Sequence, residues 1–155
     1  LADLRGDILR FTVGRGGLIE RDLLRRLRPD LVPAEKAVGE GSKAGAFVEM
    51  KKAHIGNGTK VPHLSYVGDA QLGDHTNIGG GTITANYDGV HKNRTTIGSG
   101  CHVGAGNLFV APVEVGDNVT TGAGSVVRHA VPSDTMVYSE NTQHNVEGWK
   151  PAWER

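Results

Sequence analysis

From Ile97 onward the sequence keeps a period of six. Ile97-Gly98, Val103-Gly104, Val115-Gly116 and Thr121-Gly122 each join an apolar or small residue to a glycine, and Phe109 and Val127 hold the same phase. The phase runs earlier through Val38-Gly39 and Ala44-Gly45, through Ile55-Gly56, Val61 and Val67-Gly68, and through Leu72-Gly73 and Ile78-Gly79, with one-residue slips near 50–55 and 67–72. This is a hexapeptide repeat, and three hexapeptides close one triangular coil of a parallel β-helix. The aliphatic residue of each hexapeptide points into the narrow prism, and the glycine behind it permits the tight corner between flat strands. The expected fold is all-β, a left-handed parallel β-helix with about five coils between 38 and 132. Composition agrees, because 23 glycines are too many for a helical bundle and lack the every-third spacing of collagen.

A coil cannot bury its apolar column alone, so the stack needs caps at its ends. Residues 1–37 leave the phase and are expected to form an irregular N-terminal segment with a short amphipathic helix, rich in Leu and Arg, over 17–28. The phase stops again after 132, and 133–155 are expected to be a C-terminal tail anchored by Trp149 and Trp153. The largest interruption is TANYDGVHKNRTT, 84–96, a string too polar for the prism and expected to be a loop. A loop on a rigid solenoid has fixed ends and free side chains, which suits it either to meet a ligand or simply to lie solvated.

Lysine plus arginine equals aspartate plus glutamate, 17 each, so no overall field would hold the chain on nucleic acid or a membrane surface. An anionic ligand must be gripped locally. No run approaches the roughly 18 apolar residues of a bilayer span, and no export signal is visible. The one cysteine, Cys101, leaves no intrachain disulfide and no multi-cysteine zinc site, and it is expected to fill a corner. Together these features point to the cytoplasm, with neither nucleic acid nor membrane as a partner.

Three strings stand in order along the chain: FVEMKKAHIGNGTKVPHLSYVGDA at 47–70, NIGGGTITANYDG at 77–89 and VAPVEVG at 110–116. Through them residues 41–148 closely resemble the C-terminal acetyltransferase domain of the bacterial bifunctional UDP-N-acetylglucosamine pyrophosphorylase/glucosamine-1-phosphate N-acetyltransferase. The resemblance implies transfer of acetyl from acetyl-CoA to the amine of glucosamine-1-phosphate. The product is N-acetylglucosamine-1-phosphate, for UDP-N-acetylglucosamine and cell-wall synthesis. It implies His63 as general base. Lys51, Tyr66, Asn77 and Lys92 would hold the sugar phosphate, with Arg28 of the RLRPD string. Asn86 and Tyr87 would lie beside the reacting amine and acetyl-CoA, and the corner positions held by Ala105 and Ala123 would contact acetyl-CoA. It further implies a cytoplasmic homotrimer and no metal. A flat-faced prism offers no deep cleft, so a pocket needs a second copy packed alongside.

The sequence departs from that pattern in places. Ala105 stands where the family has a serine near the acetyl carbonyl, and Glu140 falls near the place of a tail arginine expected at the coenzyme phosphates; Arg128 and Lys150 are the nearby cations. VGRGG at 13–17 lacks the Thr-Arg-Met that follows the glycines of a nucleotide loop, so no uridylyl transfer is expected. Acetyl transfer itself needs a neutral amine, a base for its proton and donors for the oxyanion, for which a backbone N–H of the glycine-rich stretch 79–81 or of the 104–106 corner is expected. Histidine suits the base because it ordinarily titrates close to neutrality. Before the resemblance is considered, Asn77 and Asn86 read equally as turn residues, and Lys51 and Lys92 as solvated side chains. Two other readings fit the repeats: a hexapeptide acyltransferase for another amino sugar, and a truncated sugar-phosphate-binding trimer without turnover.

Overall fold

The computed structural model describes residues 38–154 throughout and, before them, three strands as backbone only: β1 (Ala2–Leu4), β2 (Ile8–Phe11) and β3 (Ile19–Glu20). The first coil holds β4 (Lys43–Ala46) and β5 (Val48–Lys51), and the second holds β6 (His54–Ile55), β7 (Lys60–His63) and β8 (Tyr66–Gly68). The third holds β9 (Ala70–Leu72), β10 (Asn77–Ile78) and β11 (Ile83–Ala85). The fourth holds β12 (Thr95–Ile97), β13 (His102–Val103) and β14 (Leu108–Val110). The fifth holds β15 (Val113–Val115), β16 (Thr120–Thr121) and β17 (Val126–Val127), and β18 (Met136–Val137) follows.

Equivalent strands of successive coils pair in parallel and build the three faces of a prism. Face one is β6-β9-β12-β15. Face two is β3-β4-β7-β10-β13-β16-β18, and face three is β1-β2-β5-β8-β11-β14-β17. The first corner joins face one to face two, the second joins face two to face three, and the third carries the chain into the next coil. The β-helix of about five coils expected from the period is the fold observed.

The residues that keep the period are the ones that point inward. Val38, Ala44, Met50, Ile55, Val61, Val67, Leu72, Ile78, Ile97, Val103, Phe109, Val115 and Val127 are all buried. Each large apolar member contributes about 1.5–3 kcal/mol through burial, which no single coil could supply alone. The glycine behind each serves close approach. A Cβ on Gly98 would sit 2.6 Å from the carbonyl carbon of Gly116 in the next coil, and Gly56 and Gly73 are crowded in the same way. The left-handed backbone falls two residues further on: at Gly58, His75, Gly100 and Asn118 on the first corner, and at Phe47, Leu64, Gly81, Gly106 and Gly124 on the second.

Four expectations are corrected. Within the expected helix 17–28, Ile19–Glu20 form strand β3, antiparallel to β4, while the remainder lies outside the described residues. Together with β2 on β5, it occupies strand edges that the first coil would otherwise leave open. The loop is narrower than 84–96, because Thr84 and Thr95 are buried strand residues. Thr84 enters the prism because its Oγ1 accepts the Gly68 N–H at 2.7 Å and donates to the Gly68 carbonyl at 2.9 Å. Coiling does not stop at 132, since β18 pairs with β16. Trp149 and Trp153 are 61% and 84% exposed, so they do not anchor the tail on its own chain. Among the described residues no helix is long and apolar enough to cross a membrane.

Candidate active site

The second corner repeats the same backbone in every coil. The N–H of Leu64 donates to Ala46 O at 3.1 Å, that of Gly81 to His63 O at 3.4 Å, that of Gly106 to Gly80 O at 2.8 Å and that of Gly124 to Ala105 O at 2.8 Å. His63, Gly80, Ala105 and Ala123 therefore occupy one position in four successive coils. Three of them are expected site residues, and the structure stacks them along one edge. Gly80 belongs to the glycine stretch 79–81 expected to offer a backbone oxyanion donor, and it lies one 17-residue step beyond His63, the same step that separates Val61 from Ile78. A Cβ at Gly80 would stand 3.4 Å from the Cβ of His63.

His63 ends β7 and is exposed. Its main chain is fixed on both sides, by Pro62 before it and by Leu64 at φ 46° after it. The Ser65 hydroxyl holds its carbonyl at 2.7 Å. The imidazole has no hydrogen-bond partner among the described residues, and neither do the N–H groups of Gly80, Ala105 and Ala123. A free ring nitrogen thus shares an edge with a row of free backbone donors.

The remaining expected residues divide between the two faces that meet here. On face three, Lys51 pairs with Gly68, and Tyr66 projects from the same outer side two residues earlier. The Tyr66 hydroxyl lies over Gly68, where any Cβ would collide with it. The phenol hydroxyl thus lies over the residue that pairs with Lys51. Asn77 stands on face two, in register between Lys60 and His102. One chain alone does not collect Lys51, Tyr66 and Asn77 on a single surface. Arg28 lies outside the described residues.

The loop 86–94 leaves at the third corner and is internally ordered. Tyr87 and Lys92 face each other across an antiparallel bridge, and the Tyr87 hydroxyl donates to Gly89 O at 2.6 Å. The Asp88 carboxylate accepts the N–H groups of His91 at 2.6 Å and Val90 at 2.8 Å, and the Asn93 amide at 3.0 Å. These donors, that of His91 foremost, hold its pKa below the ordinary carboxylate value. Asn86 is turned inward and nearly buried, with its side-chain amide donated to Asp69, whereas Tyr87 is exposed.

Cys101 is fully buried, and burial pushes its thiol pKa up, as suits a packing residue that gives its S–H to Gly116 O at 3.1 Å. It continues a column of inward hydroxyls formed by Ser42, Thr59 and Thr76, each bonded to the glycine carbonyl of the next coil. A cleft of about 650 Å³ lies by the first corner, between Glu40, His54, Asn57, Gln71, Asp74 and Ser99. It contains none of the expected site residues.

A family model described as bacterial transferase hexapeptide (six repeats) matches residues 94–129. The chain is 80% identical over 153 residues to Bifunctional protein GlmU of Bifidobacterium longum, a match covering 93% of this chain and 33% of that protein, in its C-terminal part. It is 89% identical over 118 residues to Bifunctional protein GlmU of Bifidobacterium adolescentis, covering 76% of this chain and 26% of that one. The chain therefore spans about a third of the length of the curated relatives it matches. Among solved structures, the acetyltransferase domain of PglB from Neisseria gonorrhoeae, in complex with acetyl coenzyme A, superimposes with a TM-score of 0.57 at 25% identity, over 67% of this chain and 48% of that one. By its sequence, the chain belongs with the C-terminal part of the bifunctional GlmU proteins.

Proposed function

We propose that this chain is the glucosamine-1-phosphate N-acetyltransferase part of a GlmU-type protein, taking acetyl from acetyl-CoA. The observation that carries the reading is the second corner, where the unpartnered imidazole of His63 stands in one column with the free N–H groups of Gly80, Ala105 and Ala123. His63 accepts a proton from the sugar amine as the nitrogen attacks the thioester carbonyl. The new N–C bond forms, the C–S bond breaks, and the proton goes on to the departing thiolate. The corner donors stabilise the developing oxyanion and align the coenzyme. Backbone N–H groups need no particular side chain, so Ala105 serves where a serine is expected.

Lys51 and Lys92 supply charge to the sugar phosphate, and Tyr66, Asn77 and Arg28 supply directed contacts. Asn86 and Tyr87 belong to the acetyl-CoA side. Because these groups diverge over two faces and a corner of one chain, the complete site lies between copies in a homotrimer, in the cytoplasm.

The test mixes the protein with acetyl-CoA and glucosamine-1-phosphate and follows free thiol. Release is expected with the wild type and is expected to fall at least about 100-fold in His63→Ala, while sedimentation shows three copies. Equal release from both proteins, or a monomer with full activity, would sink the proposal.

A further inference from the structure

Loop 86–94 carries three of the expected site residues, and the hydrogen bonds between Asn86 and Arg94 that leave the loop all lie at its neck, where the Arg94 carbonyl accepts the Val113 N–H at 3.3 Å. The neck sets its position on the solenoid, and there one residue, Asp69, meets both the entrance and the exit. The side-chain amide of Asn86, at the entrance, is donated to the Asp69 carboxylate. The N–H of Thr95, at the exit, is donated to the Asp69 carbonyl at 3.1 Å. The N–H of Asp69 is in turn donated to the Lys51 carbonyl at 2.8 Å. Asn93 closes the neck itself, its N–H on the Asn86 carbonyl at 2.8 Å.

The main-chain N–H and carbonyl of Asp69 and one oxygen of its carboxylate are thus committed at this third corner, and they join Lys51 in the first coil to both ends of the loop. The residue holds φ at 45°, a left-handed conformation that aspartate tolerates better than most side chains because its short polar group bonds locally. Asn86 is 7% exposed, so removing its partner leaves a nearly buried amide with no acceptor. The carboxylate is therefore not replaceable by solvent in the way a surface acceptor would be.

We infer that Asp69 is a positioning residue for the transferase site, holding Tyr87 and Lys92 in fixed register with Lys51. The inference rests on the functional reading above, since only that reading gives the three residues a common ligand. Asp69 touches neither substrate. It acts through Asn86 and the two backbone bonds.

The test compares Asp69→Gly with Asp69→Asn in the full chain. Glycine accepts the left-handed angle and deletes only the side chain; asparagine keeps both the angle and an oxygen able to accept from Asn86. Amide hydrogen exchange is read first, because it does not depend on catalysis. Asp69→Gly is expected to speed exchange at Asn93 and Thr95 about tenfold or more, with the coil amides unchanged, and Asp69→Asn is expected to stay near wild type. In the thiol assay, kcat/KM is expected to fall about tenfold in Asp69→Gly through misplacement of groups distant from the change. Asparagine should restore most of it. Unchanged exchange at 93 and 95 in Asp69→Gly would overturn the inference, as would an Asp69→Asn variant as impaired as the glycine variant in the thiol assay. If the glycine variant does not fold, Asn86→Ala replaces it in the exchange measurement, with the same two outcomes. A wild type without thiol release would defeat the functional reading while leaving the exchange result to decide the clamp.

Discussion

The first and second corners are built on one backbone plan and used in opposite ways. On the first corner the position after the glycine is polar in every coil, and its side chain accepts the N–H of its counterpart one coil earlier. Asn57 accepts from Glu40 at 2.8 Å, Asp74 from Asn57 at 2.7 Å, Ser99 from Asp74 at 3.1 Å, Asp117 from Ser99 at 2.6 Å and Ser133 from Asp117 at 2.9 Å. On the second corner the equivalent residues include Gly80, Ala105 and Ala123, which have no side chain able to reach back. The same donors stay open there. One edge spends its hydrogen bonds on stacking coils, and the other keeps them for something outside the chain.

Steric change should separate the two edges most sharply. A Cβ at Gly98 runs into the backbone of the next coil at 2.6 Å, so Gly98→Ala is expected to destabilise by about 3 kcal/mol or more. At Gly80 the nearest atom is the His63 Cβ at 3.4 Å, and Gly80→Ala is expected to stay within about 0.5 kcal/mol of wild type. Urea unfolding of the two variants checks this, and equal losses would erase the distinction. Giving the second corner the first corner's habit is the next step down. In Ala123→Asn the new carbonyl can accept the Ala105 N–H, so KM for acetyl-CoA is expected to rise about tenfold while stability gains about 0.5 kcal/mol. An unchanged KM would detach the open donors from the coenzyme. The reverse exchange, Asp117→Ala, frees the Ser99 N–H at an exposed corner; a loss of about 1 kcal/mol is expected in unfolding, with KM for both substrates unaltered.

Much of this arrangement was legible from residue order. The inward column could be counted from Val38 to Val127, because a prism admits one side chain per hexapeptide and the sequence marks it with an aliphatic residue. Thr84 and Thr95 were misplaced because hydrophobicity was the only guide. Their hydroxyls look unfit for a core until the neighbouring backbone is known to receive that of Thr84. Gly80 could be named only as one of the three glycines 79–81, since none of them carries a chemical signature, and its kinship with Ala105 appears only after the loop is subtracted from the spacing. The inward turn of Asn86 could not be anticipated either. It depends on Asp69, seventeen positions earlier, and no local pattern joins the two.

That subtraction is simple. Ala70 pairs with Thr95 across 25 positions, whereas Thr95 pairs with Val113 across 18, so the excursion adds seven residues to one coil and none to the others. Both ends emerge at a single vertex of the prism, with β11 and β12 already seated in ladders on either side. Segment length at that vertex is thus independent of the stacking beneath it, and closing a somewhat longer segment costs only slightly more entropy. The molecule has in effect a socket: specificity can be rewritten there by exchanging a short cassette, while the remaining coils keep their register.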